Sequence, residues 1–174
     1  MTTMKKIFLL LTLTFGYMTI QAQNRSDYEI VPSENNTEVI YKGECTFDDI
    51  GKVTAFHLSE NAAAYKPDAA VTAALKEKLG AYRLTIFLGT WCEDSHYLVP
   101  QLYKVLEATG YPVNTITIYA VDRDKKGRHN EEKIFSITNV PTIIVSQGDK
   151  ETGRITESVH KSVEQDLLDI IVKK

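Results

Sequence analysis

The chain has little cysteine and little tryptophan. It contains two cysteines, Cys45 and Cys92, and one tryptophan, Trp91. Two cysteines allow one internal disulfide at most, and the sequence alone does not decide between that bridge and two separate thiols. The chain also has no glycine-rich phosphate loop, nucleophile elbow or zinc-protease helix motif. These absences remove several common enzyme classes from consideration.

A strong excess of charge is also missing. The chain has 20 basic and 23 acidic side chains, for a net charge of -3 at pH 7. It contains no long block of like charge, internal repeat or low-complexity tract, and the final two lysines are too few to form a basic tail. The balance of charge argues against a nucleic-acid partner.

The longest apolar run is too short for a typical membrane span. Lys5 and Lys6 precede an apolar segment at 7–20, and the small residue Ala22 follows it. This layout is typical of a secretory signal peptide, which we assign to 1–22. The alternative is a membrane anchor, but a bilayer requires roughly 20 apolar residues and this run is interrupted by Gly16. We therefore expect export to the periplasm or the medium and no stable membrane span after cleavage.

Removal of 22 residues from 174 leaves 152, which suits one domain. Loss of Lys5 and Lys6 would leave 18 basic against 23 acidic side chains, a net charge of about -5. We divide the mature chain into an N-terminal extension at 23–66 and a domain at 67–174. We expect the protein to be a monomer.

Periodicity and capping residues predict most of the secondary structure. Thr46-x-x-Asp49 and Ser162-x-x-Gln165 are typical of helix starts. Segment 23–37 is polar, and no helix or strand is assigned to it. The remaining elements follow from apolar patterning: strands at 39–42, 84–88, 116–121, 142–145 and 154–157, a partly helical region at 48–64, a helix from Pro67 to Gly80, a helix at 95–108 containing Pro100, and a final helix after Ser162.

The apolar strand at 84–88 runs directly into Trp91 and Cys92, and a helix follows. Such a strand would carry Cys92 to the rim of a sheet, where unpaired N–H groups at the start of the helix favour a thiolate. This is a suitable position for a nucleophilic sulfur. A two-cysteine redox motif would have its second sulfur three residues later, but that position is Ser95.

These marks together resemble the thioredoxin family. They are Trp91-Cys92-x-x-Ser95, Pro100 eight residues after the cysteine, and Asn139-Val-Pro-Thr142 before a strand, and the resemblance covers 75–172. Segments 55–68 and 89–96 also look like a group of exported bacterial thioredoxin-like proteins with serine at the second motif position. The resemblance implies an α/β fold with a mixed central sheet flanked by helices, and a cis Val140–Pro141 bond beside the active cysteine. It also implies chemistry without a metal or nucleotide cofactor.

The chain departs from the family pattern in three ways. Ser95 replaces the resolving cysteine, so release of a mixed disulfide requires a different thiol. Ile86 stands where thioredoxins often bury an aspartate. Glu93 and Asp94 add two carboxylates beside Cys92, and their charge opposes the thiolate that the helix start favours.

Several residues keep two interpretations each. Cys92 is a monothiol nucleophile or a remnant of a retired site, and Ser95 donates to the Cys92 thiolate or satisfies backbone groups at the helix start. Trp91 offers a flat surface to a substrate or packs beneath the site. Cys45 is a distant resolving thiol or, as we favour, a small buried side chain.

Two further clusters do not predict a site. Cys92 and His96 have helical i, i+4 spacing, but no second sulfur or other close His or Cys pair completes a metal centre. The charged run at 122–129 is predicted as a solvated loop near the carboxyl edge of the sheet, and the alternative for this position is a role in partner contact.

The sequence thus favours thiol–disulfide exchange with protein or small-molecule thiols and disulfides. In this hypothesis Cys92 is the nucleophile, Trp91 and the Pro141 backbone hold the substrate, and Ser95 and Val140 support the site. The alternative is a redox-inactive module that binds an extended peptide in the groove near Trp91 and Pro141.

Overall fold

A computed structural model describes residues 26–33 and 38–173 of the chain. The predicted signal peptide at 1–22 lies outside these residues. Among the described residues, no helix is both long and apolar enough to cross a membrane.

Six strands and six helices follow one another along the described chain. In order they are β1 (Asp27–Val31), β2 (Ile40–Cys45), α1 (Phe47–Ile50), α2 (Leu58–Ala64), α3 (Ala69–Leu79), β3 (Arg83–Leu88), α4 (Glu93–Thr109), β4 (Thr117–Ala120), α5 (Glu131–Ile134), β5 (Thr142–Gln147), β6 (Lys150–Thr156) and α6 (Val163–Val172). Short 3-10 turns at Thr54–Phe56 and Val113–Thr115 complete the set.

The strands form one mixed sheet in the order β1-β2-β4-β3-β5-β6. Strands β3 and β4 are parallel and are joined through α4, whereas every other neighbouring pair is antiparallel. A parallel pair requires such a crossover because a short hairpin cannot reverse the chain twice. The arrangement from β3 to α6 confirms the predicted thioredoxin-like α/β fold.

The two faces of the sheet are covered unequally. Leu84, Ile86 and Leu88 of β3 point to one face and join a large core, to which α1, α3, α4 and α6 all contribute buried side chains. Phe87 points to the other face and packs in a smaller cluster with Val121, Ile137, Val140 and Ile144. Trp91 and Cys92 pack against this second cluster. The alternation along β3 therefore separates the main core from the face beside the predicted site.

The segment predicted as an N-terminal extension is packed into the main core. Tyr41 and Cys45 of β2 and Phe47 and Ile50 of α1 are each no more than 6% exposed and belong to the large cluster. Burial of an apolar side chain of this size contributes about 1.5–3 kcal/mol. These residues thus help to stabilise the sheet on which the site stands.

The structure corrects one sequence prediction and contains two elements that were not assigned. The polar stretch at 23–37 contains the edge strand β1. Its side chains are mostly exposed, so it is held in the sheet by its antiparallel pairing with β2. Pro67 does not open α3, because the carboxylate of Asp68 accepts the Val71 N–H and makes Asp68 the N-cap. The four-residue helix α5 has no side-chain cap and was not predicted.

Asp49 holds the start of α1 to the N-terminal strand. Thr46 and Asp49 form the predicted capping box, in which each side chain accepts the backbone N–H of the other. The buried carboxylate also accepts from the Ser26 hydroxyl and from Lys52 Nζ at 2.8 Å. Burial alone would raise the pKa of Asp49, but hydrogen bonds from Lys52, Ser26 and Thr46 outweigh it and hold that pKa well below its ordinary value.

We expect Asp49→Asn to lower the free energy of unfolding by about 1–3 kcal/mol, because it leaves buried donors without a charged acceptor. Since the folded-state pKa of Asp49 is depressed, its contribution is present at neutral pH and is lost as the pH falls below about 4. Urea unfolding from pH 3 to 7 measures this, with the exposed neighbour Asp48→Asn as control. Equal stability and equal pH slopes for both variants would contradict the assignment.

Candidate functional site

Cys92 lies at the end of the short loop between β3 and α4, the longest helix of the described chain. It is the N-cap residue of the 17-residue helix α4, and its carbonyl accepts the His96 N–H at 3.0 Å. Its sulfur does not cap the helix but donates to the Val140 carbonyl, with 3.3 Å between Sγ and the oxygen. Cys92 as a whole is half-buried.

The Val140 carbonyl belongs to the short segment that enters β5. The Val140–Pro141 peptide bond is cis, and both residues are buried. The segment is held in place because the Thr142 hydroxyl donates to the Asn139 carbonyl at 2.7 Å and the Glu157 N–H donates to the Pro141 carbonyl at 2.8 Å. The structure therefore brings Cys92, Val140 and Pro141 together, as the family resemblance implies.

Ser95 is fully buried and its hydroxyl accepts the Gly89 N–H at 3.2 Å. This contact corresponds to the second interpretation of Ser95, in which it satisfies a backbone group beside the helix start. This hydrogen bond joins the residue that follows β3 to the first turn of α4. Ser95 thus shapes the turn that presents Cys92.

Thr90 fastens the same loop to β2, a role that the sequence did not reveal. Its hydroxyl donates to the Val39 carbonyl at 2.7 Å and accepts the Tyr41 N–H at 3.0 Å. Its carbonyl lies 2.8 Å from His96 Nε2, and since a carbonyl can only accept, that nitrogen carries the proton. Thr90 is 2% exposed, so each of these groups would be costly to leave unpaired.

His96 helps to hold the loop through Nε2. Besides holding Thr90, its ring meets the edge of Phe56 with 4.7 Å between the ring centroids. Nε2 has no free lone pair while it donates to a carbonyl. Residues 26–33 and 38–173 contain no group of three or more potential His, Cys, Asp or Glu metal ligands.

Cys45 is placed far from Cys92. Cys45 pairs with Ile118 in β4, whereas Cys92 contacts the segment entering β5. Strand β5 is three positions from β2 in the sheet, which corresponds to about 14 Å. A disulfide requires Cα atoms within about 7 Å, so the structure does not bring the two sulfurs together.

Cys45 is also sealed in the main core at 2% exposure. Burial raises the pKa of the Cys45 thiol and the negative charge of Asp49 raises it further, which keeps the sulfur protonated. A buried, protonated thiol is a poor nucleophile. The geometry therefore supports the favoured interpretation of Cys45 as a packing residue.

Comparison with solved structures gives matches to the fold. A protein of unknown function from Pseudomonas aeruginosa aligns with a TM-score of 0.56 and 16% identity, over 74% of this chain and 92% of that one. Thioredoxin O2 from Arabidopsis thaliana, in the oxidised state, aligns with a TM-score of 0.35 and 24% identity over 55% of this chain and 80% of its own. Mitochondrial thioredoxin 3 from Saccharomyces cerevisiae, also in the oxidised form, aligns with a TM-score of 0.35 and 17% identity, over 56% of this chain and 89% of its own.

No protein-family model matches the sequence, and a search of curated proteins found no match. At 16% identity the likeness to the Pseudomonas aeruginosa protein shows a shared fold and nothing about chemistry.

The two thiols should differ sharply in accessibility. In the native protein we expect iodoacetamide to modify Cys92 and to leave Cys45 unmodified, because the main core excludes the reagent from Cys45. Peptide mapping by mass spectrometry, with and without 6 M guanidinium chloride, measures both sites. Cys45→Ala and Cys92→Ala serve as matched single-thiol controls, and native labelling of Cys45 at the rate of Cys92 would contradict the described burial.

Proposed function

We propose that the chain catalyses thiol–disulfide exchange through a monothiol site with Cys92 as the nucleophile. The observation that carries this proposal is the placement of the sulfur of half-buried Cys92 at the start of α4, 3.3 Å from the Val140 carbonyl. A sulfur at a helix start, beside a fixed backbone segment, is suited to in-line attack on a disulfide.

The proposed reaction has two exchange steps. The Cys92 thiolate attacks one sulfur of a substrate disulfide, a Cys92–substrate disulfide forms, and the other substrate sulfur leaves as a thiolate. A second thiolate then attacks the mixed disulfide at the substrate sulfur, and Cys92 leaves with the electron pair of the broken bond. No net oxidation occurs in Cys92, and no metal or nucleotide cofactor is required.

The second thiolate must come from outside this chain. Ser95 has no sulfur, and its hydroxyl is engaged with Gly89. Cys45 is buried three strands from the segment that Cys92 contacts. We infer that release depends on another thiol of the substrate, which gives isomerase-like chemistry, or on a small external thiol. The partners of the site would therefore be protein or small-molecule thiols and disulfides.

Trp91 and Pro141 would form the two sides of the substrate groove. The Trp91 indole N–H donates to the Val121 carbonyl at 3.0 Å, which fixes the ring on the β4 side of Cys92. Val140 and Pro141 lie on the β5 side. The same groove would serve the alternative function, the binding of an extended peptide without turnover, and the assay below separates the two.

We place this activity outside the cytoplasm, on the strength of the predicted signal peptide. An oxidising compartment supplies substrate disulfides, which fits a protein that exchanges them. N-terminal sequencing of the exported protein is expected to begin at Gln23, and a mature chain that retains Met1 would contradict this.

The test is reactivation of a disulfide-scrambled protein in a glutathione buffer. The wild type and Cys45→Ala should both accelerate reactivation, whereas Cys92→Ala should fall about tenfold or more, to the uncatalysed rate. Retained activity in Cys92→Ala would overturn the proposal. If the wild type and Cys92→Ala are equally inactive but bind unfolded peptide equally well, the peptide-binding alternative is correct.

A further inference from the structure

The Trp91 ring rests directly on backbone. Gly89 lies beneath it so closely that a Cβ atom added there would be 2.7 Å from Cε2 of the indole. The indole N–H is bound to the Val121 carbonyl at the end of β4. The nitrogen-bearing edge of the ring is thus close to the main chain at both Gly89 and Val121.

Arg123 covers the ring from the loop after β4. Its guanidinium carbon lies 5.2 Å from the centroid of the Trp91 ring, which is cation–π distance. A planar guanidinium can stack on an indole in a way that a lysine ammonium cannot. Gly89 and Arg123 therefore both lie against the indole beside Cys92.

The N-terminal segment holds Arg123 in this position. Glu38, two residues before β2, forms an ion pair with the Arg123 guanidinium. The neighbouring residue Asp122 pairs with Lys42 of β2 at 2.7 Å and accepts the Lys126 N–H at 2.9 Å, which fixes the base of the loop. The segment at 38–41 therefore binds Thr90 through Val39 and Tyr41 and also binds Arg123 through Glu38.

We propose that Arg123 is a positioning residue of the Cys92 site, which holds Trp91 against Gly89 and is itself held by Glu38. Trp91 is joined directly to Cys92, so a ring that turns away from Gly89 changes the surface that a substrate meets next to the sulfur. The effect on exchange rests on the proposed function, whereas the placement of the ring does not. An ordinary surface ion pair would leave the tryptophan unaffected when it is removed.

Trp91 is the only tryptophan in the sequence, so its fluorescence reports this contact directly. In Arg123→Ala we expect acrylamide quenching of Trp91 to increase about twofold, because the guanidinium no longer covers the ring. Arg123→Lys should restore part of the protection, since an ammonium retains the charge but not the planar stacking. The control is Lys126→Ala, which removes an exposed cation of the same loop. Acrylamide should quench Trp91 in this variant as it does in the wild type.

Glu38→Gln tests the second half of the proposal. It should raise quenching at low salt, and the difference from the wild type should vanish near 1 M salt, where charges are screened within about 3 Å. Exchange should show a several-fold higher KM with little change in kcat for Arg123→Ala, because Arg123 touches Trp91 rather than the reacting sulfur.

The outcomes separate this inference from the proposed function. Unchanged quenching in Arg123→Ala overturns the positioning role, whatever the activity. Increased quenching with an unchanged KM also overturns it, since uncovering the ring would then have no consequence for the site. If wild-type protein has no exchange activity while quenching responds as expected, the proposed function fails and the contact between Arg123 and Trp91 stands.

Discussion

The hydroxyl of Thr90 connects two parts of the chain on which the site depends. It joins the start of β2 to the loop between β3 and α4 by one donated and one accepted hydrogen bond, while His96 secures the Thr90 carbonyl. Ser95 closes the same loop onto Gly89. With the loop held from both sides, Cys92 has little freedom at the start of α4. Its sulfur is thereby directed to the Val140 carbonyl.

Local sequence patterns predicted much of the fold and the position of Cys92 at the start of a helix. The apolar run of β3, the capping residues Thr46 and Ser162 and the boundary at Gly80 are local signals, and the structure confirms each. Edge strand β1 was not predicted because its order comes from pairing with β2 rather than from its own side chains. Short α5 has no cap that a sequence pattern would reveal.

The supporting residues of the site could not be found in the same way. Thr90 contacts residues 51 and 49 positions away in the sequence, and Arg123 reaches Glu38 across 85 positions. Such contacts depend on strand order, which a single sequence does not specify. The distance between Cys45 and Cys92 has the same origin, since it follows from the positions of β2 and β5 in the sheet.

We propose that the Cys92 sulfur acts without an internal partner, and the lifetime of its mixed disulfide tests this most directly. The protein is treated with oxidised glutathione, freed of excess reagent and followed by intact mass and peptide mapping. We predict a single adduct on Cys92 that persists for hours and is released only when an external thiol is added. Spontaneous loss of the adduct with formation of a Cys45–Cys92 disulfide would contradict the account.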